Sequence, residues 1–507
     1  MKNLIDINLL KSFFNHLKDY HLDDDYKHIP TVGSSMKSVL SINNLGKPQW
    51  VKFDEMKYRV DSFDEIATTP SEQYIKEHSY GVSFKFSDLS GIKRIGSEQL
   101  HRECPIQNNL RGCIEQNGKI QYYLHPDNWD YKLDGITPSR LDGYDGNVSI
   151  DTYQDFFINF TKSNDDCFVR ISQENLGQGW IKVPRLLIHA FRSSVLNTVP
   201  ENMGWLSTLQ KNSMVSVVND EEYVRGGDKN KSYDSKGIFA STLNKPTTSI
   251  SRMTARQYFR LNGYENLNFY QYMYIFYWLY VIEYCTFNSQ ADIKDDSLTG
   301  FKQGGLGSSI TTLTSEEWNN FNGYRPLCPN GYFKDCGNHT SFKTFEIDIN
   351  GSVVTLQTHS WHGFQNIFGD IWTNLDGVTV IKKQEDGVWK TIWELIKDPQ
   401  YYVDTESDNS DTVKIEVGNV NSLWPIQMYF GDEGLIIPIK GGGSSGSGTF
   451  DYFYNNQTTP ACLIVGGSAG SGSYAGLCYL HVYYSVDLTY IYVGFRGTIS
   501  PRIEEVV

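Results

Sequence analysis

The hydrophobic and polar positions of the 507-residue chain first predict a short helix at its start. Over residues 1–20 the large apolar side chains recur at intervals of three and four positions, which places them on one stripe of a helix. The residues of this stripe are Ile5, Leu9, Leu10, Phe13, Phe14 and Leu17. Polar sequence with three consecutive aspartates and a proline follows over residues 21–35 and suits a joint between two regions.

Alternation of apolar and polar residues then predicts strands over residues 81–124. A tight turn with the sequence Gln-Asn-Gly at residues 116–118 joins two alternating segments into a hairpin. We expect a loop rich in Asp and Gly over residues 125–147, and further strands over residues 155–171 and 179–191.

Helical spacing returns over residues 254–263 and in an aromatic stretch over residues 267–287. The second stretch is long enough to cross a membrane. However, Asn268, Gln271 and Glu283 interrupt it, and tyrosine prefers a membrane interface to hydrocarbon. The pattern therefore favours a buried amphipathic helix. From residue 353 onward it predicts short strands separated by Gly, Ser and Asn.

Composition and charge narrow the possible partners. The chain contains 33 Tyr and 11 Trp, and such rings are either favoured contacts of recognition surfaces or the filling of a β-rich core. Its net charge of −14 argues against nucleic acid and against anionic membranes, because both need a concentrated basic face. The eight cysteines form no CxxC pair, and the start lacks the apolar core of a signal peptide, so we expect synthesis in a reducing cytoplasm.

Five segments in a fixed order resemble the formylglycine-generating-enzyme branch of the C-type-lectin-like fold. They are NKPTTSISRMTARQYFR (244–260), WLYVIEYCTFNSQ (278–290), SWHGFQNIFGDIWTNLDG (360–377), VGGSAGSG (465–472) and VGFRG (493–497). The resemblance implies an α+β fold with many short strands and two main helices. It implies that the last strand pairs in the core sheet, where Gly494 permits close approach, Phe495 packs inward and Arg496 forms a structural ion pair. Trp361 and Trp372 are expected to anchor the core.

A closer resemblance is to proteins from tailed phages and prophages of gut bacteria. It is carried by RIGSEQLHRECPIQNNLRGC (94–113), YLHPDNW (123–129), VPRLLIHAFRSSV (183–195) and YVRGGD (223–228). Members of this group look like fibre or tail-tip adhesins. The resemblance implies an N-terminal attachment or oligomerisation region over residues 1–79, a β-rich connector over 80–145 and a C-type-lectin-like head over 146–507.

This resemblance implies a fibre protein on the virion surface, on the head or the tail, that binds a receptor on the host cell. The receptor would be a glycan or a surface protein, and other virion proteins would hold the N-terminal region. A homotrimer is expected, because multivalency strengthens weak single-site contacts. A purely structural virion decoration without host contact is the alternative, and an active enzyme is a third.

The last part of the chain contains the candidate binding residues. Residues 451–454 and 468–484 combine Tyr, Ser and Gly, which is the composition of antibody paratopes. Strand alternation places Tyr479, His481 and Tyr483 on one face, opposite Leu480, Val482 and Tyr484. The resemblance implies that this face is exposed and binds the receptor. An ordinary half-buried pair of strands is the alternative. The predicted receptor-binding residues are Tyr452, Tyr454, Ser468, Ser471, Ser473, Tyr474, Tyr479, His481 and Tyr483.

Catalytic and metal-binding chemistry finds little support in the sequence. Enzymes of the resembling branch bind copper through two closely spaced cysteines, whereas Cys462 and Cys478 are sixteen positions apart. His359 and His362 are close in sequence but lack an evident third ligand, so a structural role is favoured. We therefore expect no catalytic residues, no cofactor and no metal.

Overall fold

The computed structural model of the protein describes residues 38–42, 48–52, 70–218, 246–289, 294–296, 301–303, 328–349, 352–418, 422–431, 433–444, 451–455, 459–490 and 492–502. The chain separates into two compact units, residues 1–69 and residues 70–507. In the first unit, the strands Ser38–Ile42 and Pro48–Lys52 pair antiparallel. The helix predicted over residues 1–20 and the joint predicted over 21–35 lie outside the described residues.

Two large antiparallel sheets occur in the second unit, within the described ranges. The first has the strand order Trp180–Val183, Phe156–Ser163, Asp166–Ser172, Tyr80–Lys85 and Asp88–Gly96. The second has the order Glu265–Asn266, Gly497–Ile499, Leu187–His189, Asn147–Asp151, Arg111–Gln116, Lys119–His125 and Asn128–Lys132.

These sheets correct two of the sequence predictions. The strand Arg111–Gln116 of the predicted connector pairs with Asn147–Asp151, and Tyr80–Lys85 pairs with Asp166–Ser172. Strands from both sides of the predicted boundary between residues 145 and 146 therefore belong to the same sheets, so this boundary does not separate two domains. It was predicted wrongly because local patterns do not reveal which strands pair. The loop predicted over 125–147 also contains the strand Asn128–Lys132. The predicted hairpin is confirmed, with positive φ angles of 51° at Asn117 and 88° at Gly118.

The remaining described strands are short, as predicted for the C-terminal half. Three two-stranded sheets pair Ser194–Val195 with Met214–Val215, Lys294–Asp296 with Phe301–Gln303, and Pro425–Phe430 with Ile436–Gly441. Two three-stranded sheets have the orders Ser341–Ile349, Ser352–Trp361, Phe364–Gln365 and Val378–Glu385, Val388–Leu395, Val413–Gly418. The C-terminal sheet has the order Phe453–Asn455, Gly476–Val482, Ile464–Gly466, Trp372–Asn374 and Val493–Gly494. The described fold is thus mixed and rich in strands, with few helices.

Two main helices stand between the early and the late strands, beside the short helices Glu72–His78 and Glu98–Glu103. Arg252–Arg260 begins after Ser251, whose hydroxyl accepts a hydrogen bond from the Thr254 N–H, and confirms the helix predicted over 254–263. The second, here called the central helix (residues 269–284), consists of Phe269–Gln271, a π-helical part Tyr272–Trp278 and Leu279–Tyr284. Short 3₁₀ turns are Gln107–Asn109, Gly204–Thr208, Lys334–Cys336, Pro399–Tyr401 and Ala469–Tyr474.

The central helix is buried on every side. The predicted buried helix is therefore confirmed, whereas its predicted amphipathic character is wrong. Trp278 contacts Phe84 and Phe160 of the first sheet, and Phe276, two positions earlier and hence on a different side of the helix, contacts Phe364. With protein on both sides, no polar face is needed.

The residues from Val493 to Arg496 are buried as well, and Val493 and Phe495 belong to two smaller clusters. Val493–Gly494 pairs parallel with Trp372–Asn374, and a Cβ on Gly494 would lie 2.6 Å from Ile371, which confirms the predicted close approach. Phe495 is fully buried, as predicted. Arg496 departs from the prediction. Its buried guanidinium donates to the carbonyl oxygens of His189, Ala190 and Gln365 where an ion pair was expected. Trp361 and Trp372 are buried, which confirms them as core residues.

Candidate functional site

The C-terminal sheet separates two sets of side chains along the strand Gly476–Val482. Leu480 and Val482 enter the main core, whereas Tyr479 packs on the other face, in a smaller cluster with Trp372. This alternation follows from the two-residue period of a strand and agrees with the prediction. Because Phe453–Asn455 runs parallel to this strand, with Tyr454 opposite His481, tyrosines from both segments meet on the same face.

On that face, eleven rings from five separate segments form one continuous group. Every ring has a neighbour whose centroid lies between 4.5 and 5.2 Å away, within the range of favourable aromatic pairs. We call this group the aromatic cluster. Its members are Trp372, Trp424, Tyr452, Tyr454, Tyr474, Tyr479, His481, Tyr483, Tyr484, Tyr490 and Tyr492.

The cluster has a buried floor and exposed ends. Tyr474 and Tyr490 are 42% and 43% exposed, whereas Tyr479 and His481 are each only 6% exposed. The prediction that Tyr479 and His481 lie on an exposed face is therefore wrong. Rings contributed by neighbouring segments cover them. Tyr483 is half-buried, as are Tyr452 and Tyr454.

His481 is the centre of a stacked arrangement. The rings of Tyr454 and Tyr484 both lie nearly parallel to its imidazole, at interplanar angles of 11° and 14° and with centroids 4.9 Å away. Burial lowers the pKa of His481 to about 3, so the imidazole is neutral at neutral pH. Tyr484 was expected on the opposite face. It joins this one because the strand ends at Val482 and the alternation ends with it.

The three predicted serines have different environments. Ser468 is buried at the start of the turn Ala469–Tyr474, where its N–H donates to the Ser471 hydroxyl at 3.0 Å. Ser471 is half-buried and closes the turn, since its own N–H donates to the Ser468 carbonyl at 2.8 Å. Ser473 is exposed beside Tyr474. Two of the three serines therefore shape the turn that presents Tyr474.

A buried carboxyl group lies beneath the cluster and connects its strands. Asp451, at the start of the segment that carries Tyr452 and Tyr454, accepts hydrogen bonds from the Cys478 N–H at 2.8 Å and the Ser289 hydroxyl at 3.3 Å. A Cβ at Gly476 would lie 2.0 Å from this carboxylate, so glycine is required there. Burial raises the pKa of Asp451 to about 8.

Among the described residues, a buried lysine is the charged group that acts on the histidine of the cluster. Between described residues, no ion pair and no cation–π contact involves a ring of the cluster. The charged side chain that acts on His481 is Lys382, whose buried ammonium donates to the Val482 carbonyl at 3.1 Å behind the strand. Burial lowers the pKa of Lys382 to about 8.

The thiols and histidines singled out in the sequence occupy structural positions. None of the eight cysteines forms a disulfide, and burial raises the pKa of Cys462 to about 12 and that of Cys478 well above its ordinary value. Within the described ranges no three His, Cys, Asp or Glu side chains converge as a metal site would require. His362 pairs with the buried Glu283 at 3.0 Å, and His359 is buried beside Phe368.

Four half-buried or exposed members of the cluster were not among the predicted receptor-binding residues. Trp424 joins because its neighbour Leu423 forms a bridge with Phe453, which brings the indole to Tyr452. Tyr484 ends the predicted segment and was assigned to its opposite face. Tyr490 and Tyr492 follow the segment, and the Tyr-Ile-Tyr alternation at 490–492 was the signal that could have identified them.

Comparison with known protein families gives no matching family model, and comparison with curated proteins gives no match at the significance required. In the described part of the chain, none of the helices combines the length and the apolar character needed to cross a membrane.

Proposed function

We propose that this protein is a surface fibre protein of a tailed-phage virion that binds a host-cell receptor through the aromatic cluster. The observation that carries the proposal is the continuous group of eleven rings with exposed ends at Tyr474 and Tyr490. Tyrosine and tryptophan dominate binding hot spots because they combine large rigid rings with a polar tip. The virion context comes from the resemblance of residues 80–500 to phage adhesins.

Further features support a C-type-lectin-like head without catalytic activity. The final strand Gly497–Ile499 pairs in the sheet that contains Leu187–His189, as the resembling fold requires of its last strand. The thiols of Cys462 and Cys478 are buried and protonated, and only the thiolate is an effective nucleophile or copper ligand. The head would work as a homotrimer, attached to other virion proteins through residues 1–79, because several weak sites then act together.

The test measures binding of the purified full-length chain to intact host bacteria. A Tyr474→Ala/Tyr490→Ala variant removes the two exposed rings and is expected to lose at least about tenfold in apparent affinity. The matched control is Tyr131→Ala/Tyr401→Ala, which removes two equally exposed tyrosines outside the cluster. Loss in the first variant alone supports the proposal. Binding by neither variant nor wild type, with the trimer confirmed by light scattering, would favour a structural virion decoration.

A further inference from the structure

We propose that the ligand of the aromatic cluster is an uncharged oligosaccharide, bound by stacking of sugar C–H faces on the exposed tyrosine rings at the two ends of the cluster. This inference rests on the proposed function and specifies the receptor chemistry. It commits to a glycan with at least two uncharged sugar units, rather than to an acidic glycan or to a protein.

The first support is the presentation of the exposed rings. Tyr474 is held by Trp424 and Tyr452, with centroids 5.2 and 4.5 Å away. Tyr490 is stacked on Tyr492 at 13° and 5.2 Å. Rings fixed by other rings lose little freedom on binding. Their faces carry negative partial charge, which attracts the weakly positive C–H groups of a pyranose face.

The second support is the spacing of the two ends. Tyr474 connects to Tyr490 through Tyr479, His481 and Tyr484, in ring-to-ring steps of 4.8 to 6.5 Å. Two exposed rings joined by a row of buried and half-buried rings form two stacking positions on one face. A ligand made of linked rings can occupy both, whereas a single sugar can occupy one.

The third support is the charge of the surface. The phenols of the cluster interact electrostatically with one another: burial and then Tyr474 and Tyr454 raise the pKa of Tyr452, while burial and Tyr492 raise that of Tyr484. Tyr452 and Tyr484 therefore stay protonated and neutral at neutral pH, and a phenol hydroxyl can donate to and accept from sugar hydroxyls. The chain's net charge of −14 disfavours acidic glycans.

The fourth support favours a glycan over a protein as the ligand. Over the described residues from 422 to 502, the exposed large apolar side chains are Tyr474 and Tyr490, and no exposed aliphatic side chain accompanies them. Protein interfaces build a continuous apolar centre, fully desolvated and surrounded by a polar rim. Exposed rings with hydroxyl tips, without exposed aliphatic side chains in this described part of the chain, fit the amphipathic surface of a sugar better.

The experiment uses surface polysaccharide from the host, separated by anion exchange into neutral and acidic pools and immobilised on a sensor. The full-length protein is expected to bind the neutral pool, with less than about a twofold change between low and high salt, and with binding retained in a chelator. Tyr474→Ala and Tyr490→Ala should each weaken this binding by at least about fivefold. Tyr474→Phe and Tyr490→Phe, which keep the ring face, should retain most of it. Unchanged thermal unfolding shows that each variant is folded.

Other outcomes overturn the inference while leaving the proposed function intact. Salt-sensitive binding to the acidic pool would identify a charged glycan. Cell binding that needs the cluster, survives mild periodate oxidation of surface sugars and disappears after protease treatment would identify a protein receptor. The proposed function itself fails under a different result, in which cell binding by the wild type is absent or is unaffected by loss of both exposed rings.

Discussion

The central helix and the aromatic cluster are both rich in tyrosine, yet the two regions use this residue differently. In the central helix the hydroxyls of Tyr272, Tyr274 and Tyr280 donate to the backbone carbonyls of Leu477, Glu433 and Ser289, at 2.6, 2.9 and 3.0 Å. In the cluster, the hydroxyls of Tyr484 and Tyr492 bond to each other at 3.0 Å.

The comparison shows what distinguishes a structural tyrosine from a binding one. A buried phenol stabilises the fold when it satisfies a carbonyl group that has lost water. A half-exposed phenol that bonds to another phenol keeps donor and acceptor capacity for a ligand. Composition alone could not separate these roles, since both stretches are rich in tyrosine and differ in the burial of the rings and in the partners of the hydroxyl groups.

The largest expected effect concerns Asp451, which lies where the two regions meet. Its pKa is about 8 in the folded protein and 3.8 in the reference state. The folded chain therefore holds a proton that the unfolded chain releases above pH 3.8. The stability contributed by this proton is fully present below pH 3.8 and is lost progressively as the pH rises to 8, amounting to on the order of 5 kcal/mol.

Asp451→Asn keeps the shape of the side chain and removes its ionisation. We expect the wild type and the variant to be similarly stable at pH 4, and the variant to be more stable at pH 8. Urea unfolding at a series of pH values measures the difference, and the wild type serves as the control for all other titrating groups. Parallel curves for the two proteins would show that the carboxyl is not protonated in the fold.

The next prediction compares the stability lost when one tryptophan is removed from each region. Trp278 is fully buried among Phe84, Phe160 and Phe430, and its indole N–H donates to the Gly434 carbonyl at 2.8 Å. Trp278→Ala should cost about 3–5 kcal/mol of unfolding free energy. Trp424→Ala, at a half-buried position of the cluster, should cost less than about 2 kcal/mol and weaken receptor binding. Equal losses of stability in urea unfolding would mean that the cluster is part of the core.

Local sequence patterns predicted the helices and strands better than they predicted which side chains are buried and what covers them. The Asn117-Gly118 hairpin and the helix after Ser251 depend on neighbouring residues and were predictable. Tyr452, Tyr454, Tyr474 and Tyr483 were correctly expected near one another, because two short segments carry them.

The features that could not be predicted from the sequence depend on contacts between distant segments. Tyr479 and His481 are buried because rings from other segments cover them. Trp424 reaches the cluster through a bridge to Phe453, and no local pattern indicates this pairing. The polar face expected for the central helix is missing because protein covers it on all sides.

The smallest expected effect comes from two substitutions that each remove one hydroxyl oxygen, one in each region. Tyr272→Phe takes away the donor to the Leu477 carbonyl inside the core, and we expect a loss of about 1–2 kcal/mol because a buried acceptor loses this partner. Tyr484→Phe removes the corresponding oxygen in the cluster and should change the unfolding free energy by less than about 0.5 kcal/mol, since Tyr492 is half-buried and water can replace the lost partner. Urea unfolding of the two variants side by side measures both values. A loss at Tyr484 as large as that at Tyr272 would mean that the hydroxyl pair serves the fold, and that the exposed rings alone remain for binding.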